Sequence, residues 1–395
     1  MDVSTRVSAD HGSLLDHLGA RSPLAFLRNG DGIVGLGAAL RLEFSGPSRV
    51  QDAAAAWQRV VASSSVHDAV ELPGTGLVAL GTFAFADSSA ATSVLIVPSV
   101  ILGRRDGVSW LTTIGDAPPP APAGPAFAAD FAEGALSADG YRAAVASAVD
   151  GIRAGAARKV VLARDIVAGI PADADLRPVI ARLAQAYPDT FTFAVDGLIG
   201  SSPETLVRAH RGPVTARVLA GSAARGADAT ADATAASTLA ASRKDVEEHS
   251  FAIRSVLTAL APLSEDLVSS RAYPLRLPNL WHLASDVTGT LTRGSSALDL
   301  VAALHPTAAV AGAPTAAALD LIASLEPFDR GRYAGPVGWV DAHGDGEWAI
   351  ALRCAQVDGE RVTAYAGAGI VAGSDPAREL AETALKLRPV VDALR

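Results

Sequence analysis

A single cysteine, Cys354, occurs among 395 residues. No intramolecular disulfide can form, and a thiolate metal cluster is excluded. Long apolar runs are also missing. No stretch of about 18 residues escapes interruption by charge, glycine or proline, so no membrane span is expected. The opening segment, MDVSTRVSADHGSLLDHLGARS, is polar and carries acids. It lacks the apolar core of a signal peptide, and a cytoplasmic protein is expected. Lys/Arg-rich runs are absent and the net charge is −9, which argues against nucleic acid as a partner. An anionic ligand would have to be held by a few placed cations rather than by a global field.

Several catalytic signatures are missing too. LAGSAARG lacks the Gly-Lys-Ser/Thr ending of a Walker motif. The glycines of GAGIVAG do not fit G-x-G-x-x-G followed by a helix. No G-x-S-x-G elbow presents a nucleophilic serine, and no repeat of solenoid period is found. What is present is a chain 49% hydrophobic and 19% charged, a balance that builds a sizeable core.

The pattern is that of an α/β or α+β protein. Up to about residue 116, LVALGTFAFA and TSVLIVPSVILG read as buried strands and DAAAAWQRVVASS as a helix. The proline-rich segment 117–126 reads as an extended connection. From 137 onward, GYRAAVASAVDGIRAGA predicts a helix and KVVLARDIVAG a strand, with Lys159, Val161 and Ala163 on one face. FTFAVDGLIGSSPETLVRAH reads as strand, turn, strand. A surface loop and then one long helix over about 238–261 follow. GPVGWVDAHGDGEWAIALRCAQVDG predicts a hairpin turning at HGDG. PARELAETALKLRPVVDAL predicts the last helix, capped by Asp375 with Pro376 at its first position.

Candidate chemistry sits on these elements. Asp245 and Glu248 are three apart on one predicted helix, and Glu379 and Glu382 on another. Each pair alone is ordinary solvated surface. Facing each other, they would make an oxygen site for a hard cation such as Mg²⁺. Lys159 opens an apolar strand, where burial would favour its neutral form and let it act as a base. Gly-Ser-Ser-Pro fixes a turn that presents Glu204. Gly221 and Ser222 offer backbone donors, His282 sits between apolar neighbours in LWHLAS, and Arg353 lies in an apolar strand where a carboxylate would suit its planar fork.

In order along the chain, KVVLAR, GSSPETLV, LAGSAARG, KDVEEH, LWHLAS, LHPTAAVAG, EPFDRGRYAGPVGW, ALRCA, GAGIVAGS and ELAETALK resemble the chorismate-utilising enzyme family. The resemblance covers roughly 137–395 and is weaker over 1–116. It implies one domain over 1–395: two large antiparallel-rich sheets packed together, helices outside, and an active site in a deep cleft. It implies Lys159 as the base that activates water for attack at C2 of chorismate, and Glu204 as the acid that protonates the departing C4 hydroxyl. Glu248 and Glu382 would bind Mg²⁺, with Asp245 and Glu379 as neighbouring acids. Asp245 is shorter than the glutamate seen in some relatives. Tyr333, Arg353 and Lys386 match positions that hold substrate carboxylates, and Gly221, Ser222, Gly367 and Gly369 match backbone contacts. His282 lines the same site. Ala309 in LHPTAAVAG resembles members that stop at isochorismate. Members that eliminate pyruvate, as in salicylate synthesis, or that use ammonia tend to carry threonine there. A chorismate-binding paralogue without activity is the alternative from another class. The family implies a monomer, with isochorismate passing to siderophore or menaquinone synthesis.

Overall fold

The computed structural model describes residues 1–119, 122, 124, 125, 127–276 and 280–395, without the side chains of Ser222, Lys244, Glu248 and Leu280. Two sheets dominate it, one of 13 strands and one of 10. Among the described residues the pairing is antiparallel except between Asp2–Val7 and Ser65–Asp68. The sheets pack face to face. Phe26 and Phe193 of the first share one core with Leu80, Val337 and Trp348 of the second, each at most 2% exposed. Strands from before the proline-rich segment pair with strands from after it in both sheets, Leu24–Arg28 beside Phe191–Val195 and Val78–Thr82 beside Pro336–Asp341. The fold class is the one the sequence implied. The prolines of 117–126 fall partly outside the described residues, and those described carry no helix or strand.

The strands that build the main cavity, in chain order, are β1 (Lys159–Gly169), β2 (Leu198–Ser202), β3 (Thr205–Ala209), β4 (Pro213–Ala224), β5 (Leu280–Leu291) and β6 (Arg361–Ile370). The helices are α1 (Ala138–Arg153), α2 (Ala229–Ala241), α3 (Arg243–Leu260), α4 (Ala297–Leu304) and α5 (Pro376–Leu394). β1 and β6 pair in the first sheet, while β3, β4 and β5 belong to the second. Three sequence expectations need revision. Arg353, expected within an apolar strand, lies at a bend between the strands Gly346–Ile350 and Cys354–Asp358. The GSSPET segment contains the end of one strand and the start of another, because Pro203 ends pairing and the chain steps from the first sheet (β2) to the second (β3). The single helix expected over 238–261 is two helices. They break at Ser242, whose extended backbone and side-chain oxygen, accepting from the Asp245 amide, start α3 afresh.

A buried ion pair ties the strand of Lys159 to the loop of Ala309. Arg330 bonds Glu326 through two nitrogens at 2.8 and 2.6 Å, and donates to the carbonyls of Val161 and Val310. Glu326 in turn accepts from the Ala163 amide at 2.7 Å. Both side chains are 2% exposed. Breaking such a pair strands a buried charge. Glu326→Ala is therefore expected to lower stability by about 3–5 kcal/mol in urea unfolding, and a loss below about 1 kcal/mol would contradict the assignment.

Candidate active site

A cavity of about 550 Å³ opens between the two sheets beneath α3 and α5. Its wall includes Lys159, Glu204, Gly221, Asp245, His282, Ala309, Tyr333, Arg353, Gly367, Gly369, Glu379, Glu382 and Lys386. These are all the residues singled out from the sequence except Ser222 and Glu248, whose side chains lie outside the described residues. Their backbones are on β4, opposite His282, and on α3.

Each side chain is placed by a local cause. Lys159 is the first residue of β1, and Val161 beside it pairs with Gly369 of β6. A Cβ on Gly369 would stand 3.0 Å from the Lys159 Cε, so glycine leaves the room in which the lysine lies. Gly221 sits at a register shift of β4 with φ +81°, a conformation that favours glycine. A Cβ there would press on the Asp245 side chain at 3.1 Å. The bulge turns the Gly221 carbonyl to accept from His282 Nδ1–H at 3.1 Å. Burial lowers the His282 pKa to about 4, so the ring is neutral and Nε2 keeps its lone pair. Ser242 holds Asp245 by a hydroxyl bond to its carboxylate. Asp375 caps α5 by accepting from the Arg378 amide at 2.9 Å, which fixes the turn carrying Glu379.

Electrostatics divide the cavity. Glu204 stands on the crossing between sheets, and desolvation by burial pushes its carboxyl up to about 7 against the pull of Lys159, Lys386 and Arg353. It therefore holds a proton near neutrality. Arg353 has φ +50°, uncommon for arginine, and its guanidinium has no ion-pair partner among the described residues. Burial pulls its pKa down, which an incoming anion would relieve. Lys386 pairs with Glu382 at 2.7 Å and donates to the Gly367 carbonyl at 2.9 Å. Tyr333 is buried and stacks on Tyr365, with ring centroids 5.2 Å apart.

Asp245, Glu379 and Glu382 bring carboxylates from two helices to one cavity. Burial, and then the neighbouring Glu382 charge, raise the Glu379 carboxyl. No three His, Cys, Asp or Glu side chains form a ready metal cage among the described residues. A set of oxygen donors without thiolate, short of a full cage, fits Mg²⁺, which keeps waters and shares its shell with a substrate.

Sequence reasoning missed Tyr365 and Arg378, which also line the cavity. Arg378 had a signal in its place beside Glu379 on the first turn of α5. Tyr365 had none, since its stacking on Tyr333 is a tertiary contact.

The sequence model of the chorismate-binding enzymes matches residues 122–395. The chain belongs to this family. A Mycobacterium tuberculosis H37Rv protein, provisionally named isochorismate synthase MenF, is 39% identical to it over 338 residues, which span 81% of this chain and 87% of that one. Isochorismate synthase DhbC of Bacillus subtilis is 39% identical over 267 residues, 64% of this chain and 67% of its own. Among solved structures, the menaquinone-specific isochorismate synthase MenF of Escherichia coli superposes with a TM-score of 0.79 at 26% identity. That match covers 98% of this chorismate-binding chain and 94% of its counterpart. No helix among the described residues is long and apolar enough to cross a membrane.

Proposed function

We propose that this chorismate-binding enzyme is an isochorismate synthase, a Mg²⁺-dependent isomerase that moves a hydroxyl from C4 to C2 of chorismate. The observation that carries the reading is one cavity lined by Lys159, the Glu204 carboxyl raised to about 7 by burial, Arg353 with no ion pair among the described residues, and four further carboxylates, Asp245, Asp375, Glu379 and Glu382. The names of the relatives point the same way.

Chorismate is a dianion. Arg353 takes one carboxylate in its fork, with Lys386 and the Tyr333 hydroxyl beside it. Asp245, Glu379 and Glu382, with Glu248 from the same helix as Asp245, would hold Mg²⁺. Such an ion would supply positive charge against the other carboxylate. Lys159 accepts a proton from water as the new C2–O bond forms. Glu204 donates its proton to the C4 oxygen as that C–O bond breaks, and water leaves. Backbone groups at Gly221, Ser222, Gly367 and Gly369 frame the ring. His282, neutral, offers a lone pair rather than a charge. Ala309 brings no hydroxyl to the wall, which favours stopping at isochorismate over pyruvate elimination.

Incubation with chorismate and Mg²⁺ tests the reading by chromatography. Isochorismate is expected. Salicylate with pyruvate would identify a salicylate synthase, and unchanged chorismate a binding paralogue. EDTA is expected to lower turnover by at least about a hundredfold, with recovery on adding Mg²⁺. An undiminished rate in EDTA would remove the metal from the mechanism. A monomer working in the cytoplasm completes the proposal, and sedimentation of the pure protein tests the first part. Product transfer to menaquinone enzymes fits the description of the Escherichia coli relative, and siderophore enzymes are the other proposed destination.

A further inference from the structure

The proposed reaction leaves an imbalance that must be undone at every turnover. The base has gained a proton and the acid has lost one. Chorismate and water go in, isochorismate and water come out, so no net proton is released. Before the next cycle Lys159 must lose a proton and Glu204 must regain one.

The structure contains a second way round. A side cavity of about 580 Å³ touches Lys159, and another of about 190 Å³ touches Glu204. The two adjoin, sharing wall residues Ala252, Ser255, Ala308, Ala309 and Thr315. The larger lies between α3, the loop after α4, the start of β1 and the segment after β6, and the smaller between α3, the same loop and the second sheet. Ser255 is exposed at the shared wall, so the passage meets solvent there. The cavity beside Glu204 also carries a buried hydroxyl, Thr307 Oγ1, with no hydrogen-bond partner among the described residues. An orphaned buried hydroxyl is costly unless it bonds water, and a cavity of this size has room for several molecules. Among the charged and titratable groups facing the passage, Arg158 and Glu247 stand at the Lys159 end, and Arg217 and His305 at the Glu204 end. His305 bonds the Ala334 carbonyl.

Accepting Lys159 as base and Glu204 as acid, we infer that these adjoining cavities form a hydrated return path carrying the proton from Lys159 back to Glu204, with Thr307 as a positioning residue for its water. The Lys159 ammonium gives its proton to water in the larger cavity. A hydrogen-bonded exchange passes the shared wall, and water held by Thr307 protonates the Glu204 carboxylate. Lysine ends neutral, glutamic acid ends protonated, and no other reactant is consumed.

Two variants of the full-length protein test this. Ala252→Leu fills the shared wall, and Thr307→Val removes the hydroxyl while keeping the shape. Each is expected to lower kcat about tenfold with KM within about twofold, and to raise the solvent deuterium isotope effect on kcat. Thr307→Ser is expected to restore both. If Ala252→Leu fails to fold, as read by urea unfolding, the threonine pair decides alone. Folded Thr307→Val with native kcat and isotope effect would overturn the path, as would a loss that Thr307→Ser does not restore. Glu204→Gln is assayed alongside. If it keeps its activity, the acid assignment itself fails; if it is inactive while the cavity variants are normal, only the return path fails.

Discussion

Lys159→Ala is expected to lower kcat by roughly a thousandfold or more while chorismate still binds within about threefold of its native affinity. The lysine is the nitrogen base that opens β1 and faces Gly369, on a strand whose next six residues, Val160 to Asp165, are buried. Its removal takes away a proton acceptor and leaves the anion-binding groups Arg353 and Lys386 on other elements untouched. Stopped-time product analysis and isothermal titration read the two quantities separately. Appreciable isochorismate formation by the variant would refute the assignment, since water would then be losing its proton elsewhere. Gly369→Ala offers a milder form of the same test. The added Cβ, 3.0 Å from the Lys159 Cε, shifts the base without deleting it, and a fall in kcat larger than any rise in KM is expected.

Much of this arrangement was legible because its parts are local. Alternation of apolar residues read β1 to its true ends, and the Asp375-Pro376 pair read the start of α5. The break at Ser242 was hidden by alanine-rich flanks of high helix propensity, although Ser242 followed three residues later by Asp245 is itself a capping pattern. The step from one sheet to the other at Pro203 could not be read locally. Which sheet a strand joins depends on partners far along the chain, Ala349 for Thr205 and Cys354 for Gly200. The meeting of α3 and α5 around one cavity belongs to the same category. Spacing put each acid pair on a helix face, and only the packing of both helices over paired strands brings Asp245, Glu379 and Glu382 to a common wall. Cavities are still further from sequence, since they are the volume that packed elements leave unfilled. The hydroxyl of Thr307 therefore acquires meaning only from its surroundings.

Glu204→Gln carries the second large expectation, and it has two parts of opposite sign. Turnover is expected to fall by roughly a thousandfold, because the amide has the shape of the acid but no proton to give the departing C4 oxygen. Stability is expected to move the other way in alkaline solution. Burial raises the Glu204 carboxyl from 4.5 to about 7. As pH climbs between those values the unfolded chain releases this proton while the folded chain keeps it. Stability falls across that window and levels off above it, at a total cost on the order of 3 kcal/mol. The glutamine variant carries no such cost. Its stability should match that of the native protein below pH 4.5, adjusted only for the amide's own hydrogen bonds, and exceed it above pH 8. The native enzyme should in turn lose kcat/KM as pH rises through about 7, where the acid form of Glu204 is depleted. Urea unfolding at the two pH values and a pH profile of kcat/KM measure both parts. A variant no more stable than the native protein at high pH would show that Glu204 ionises as freely folded as unfolded, and such a carboxyl could not serve as the proton donor at neutral pH.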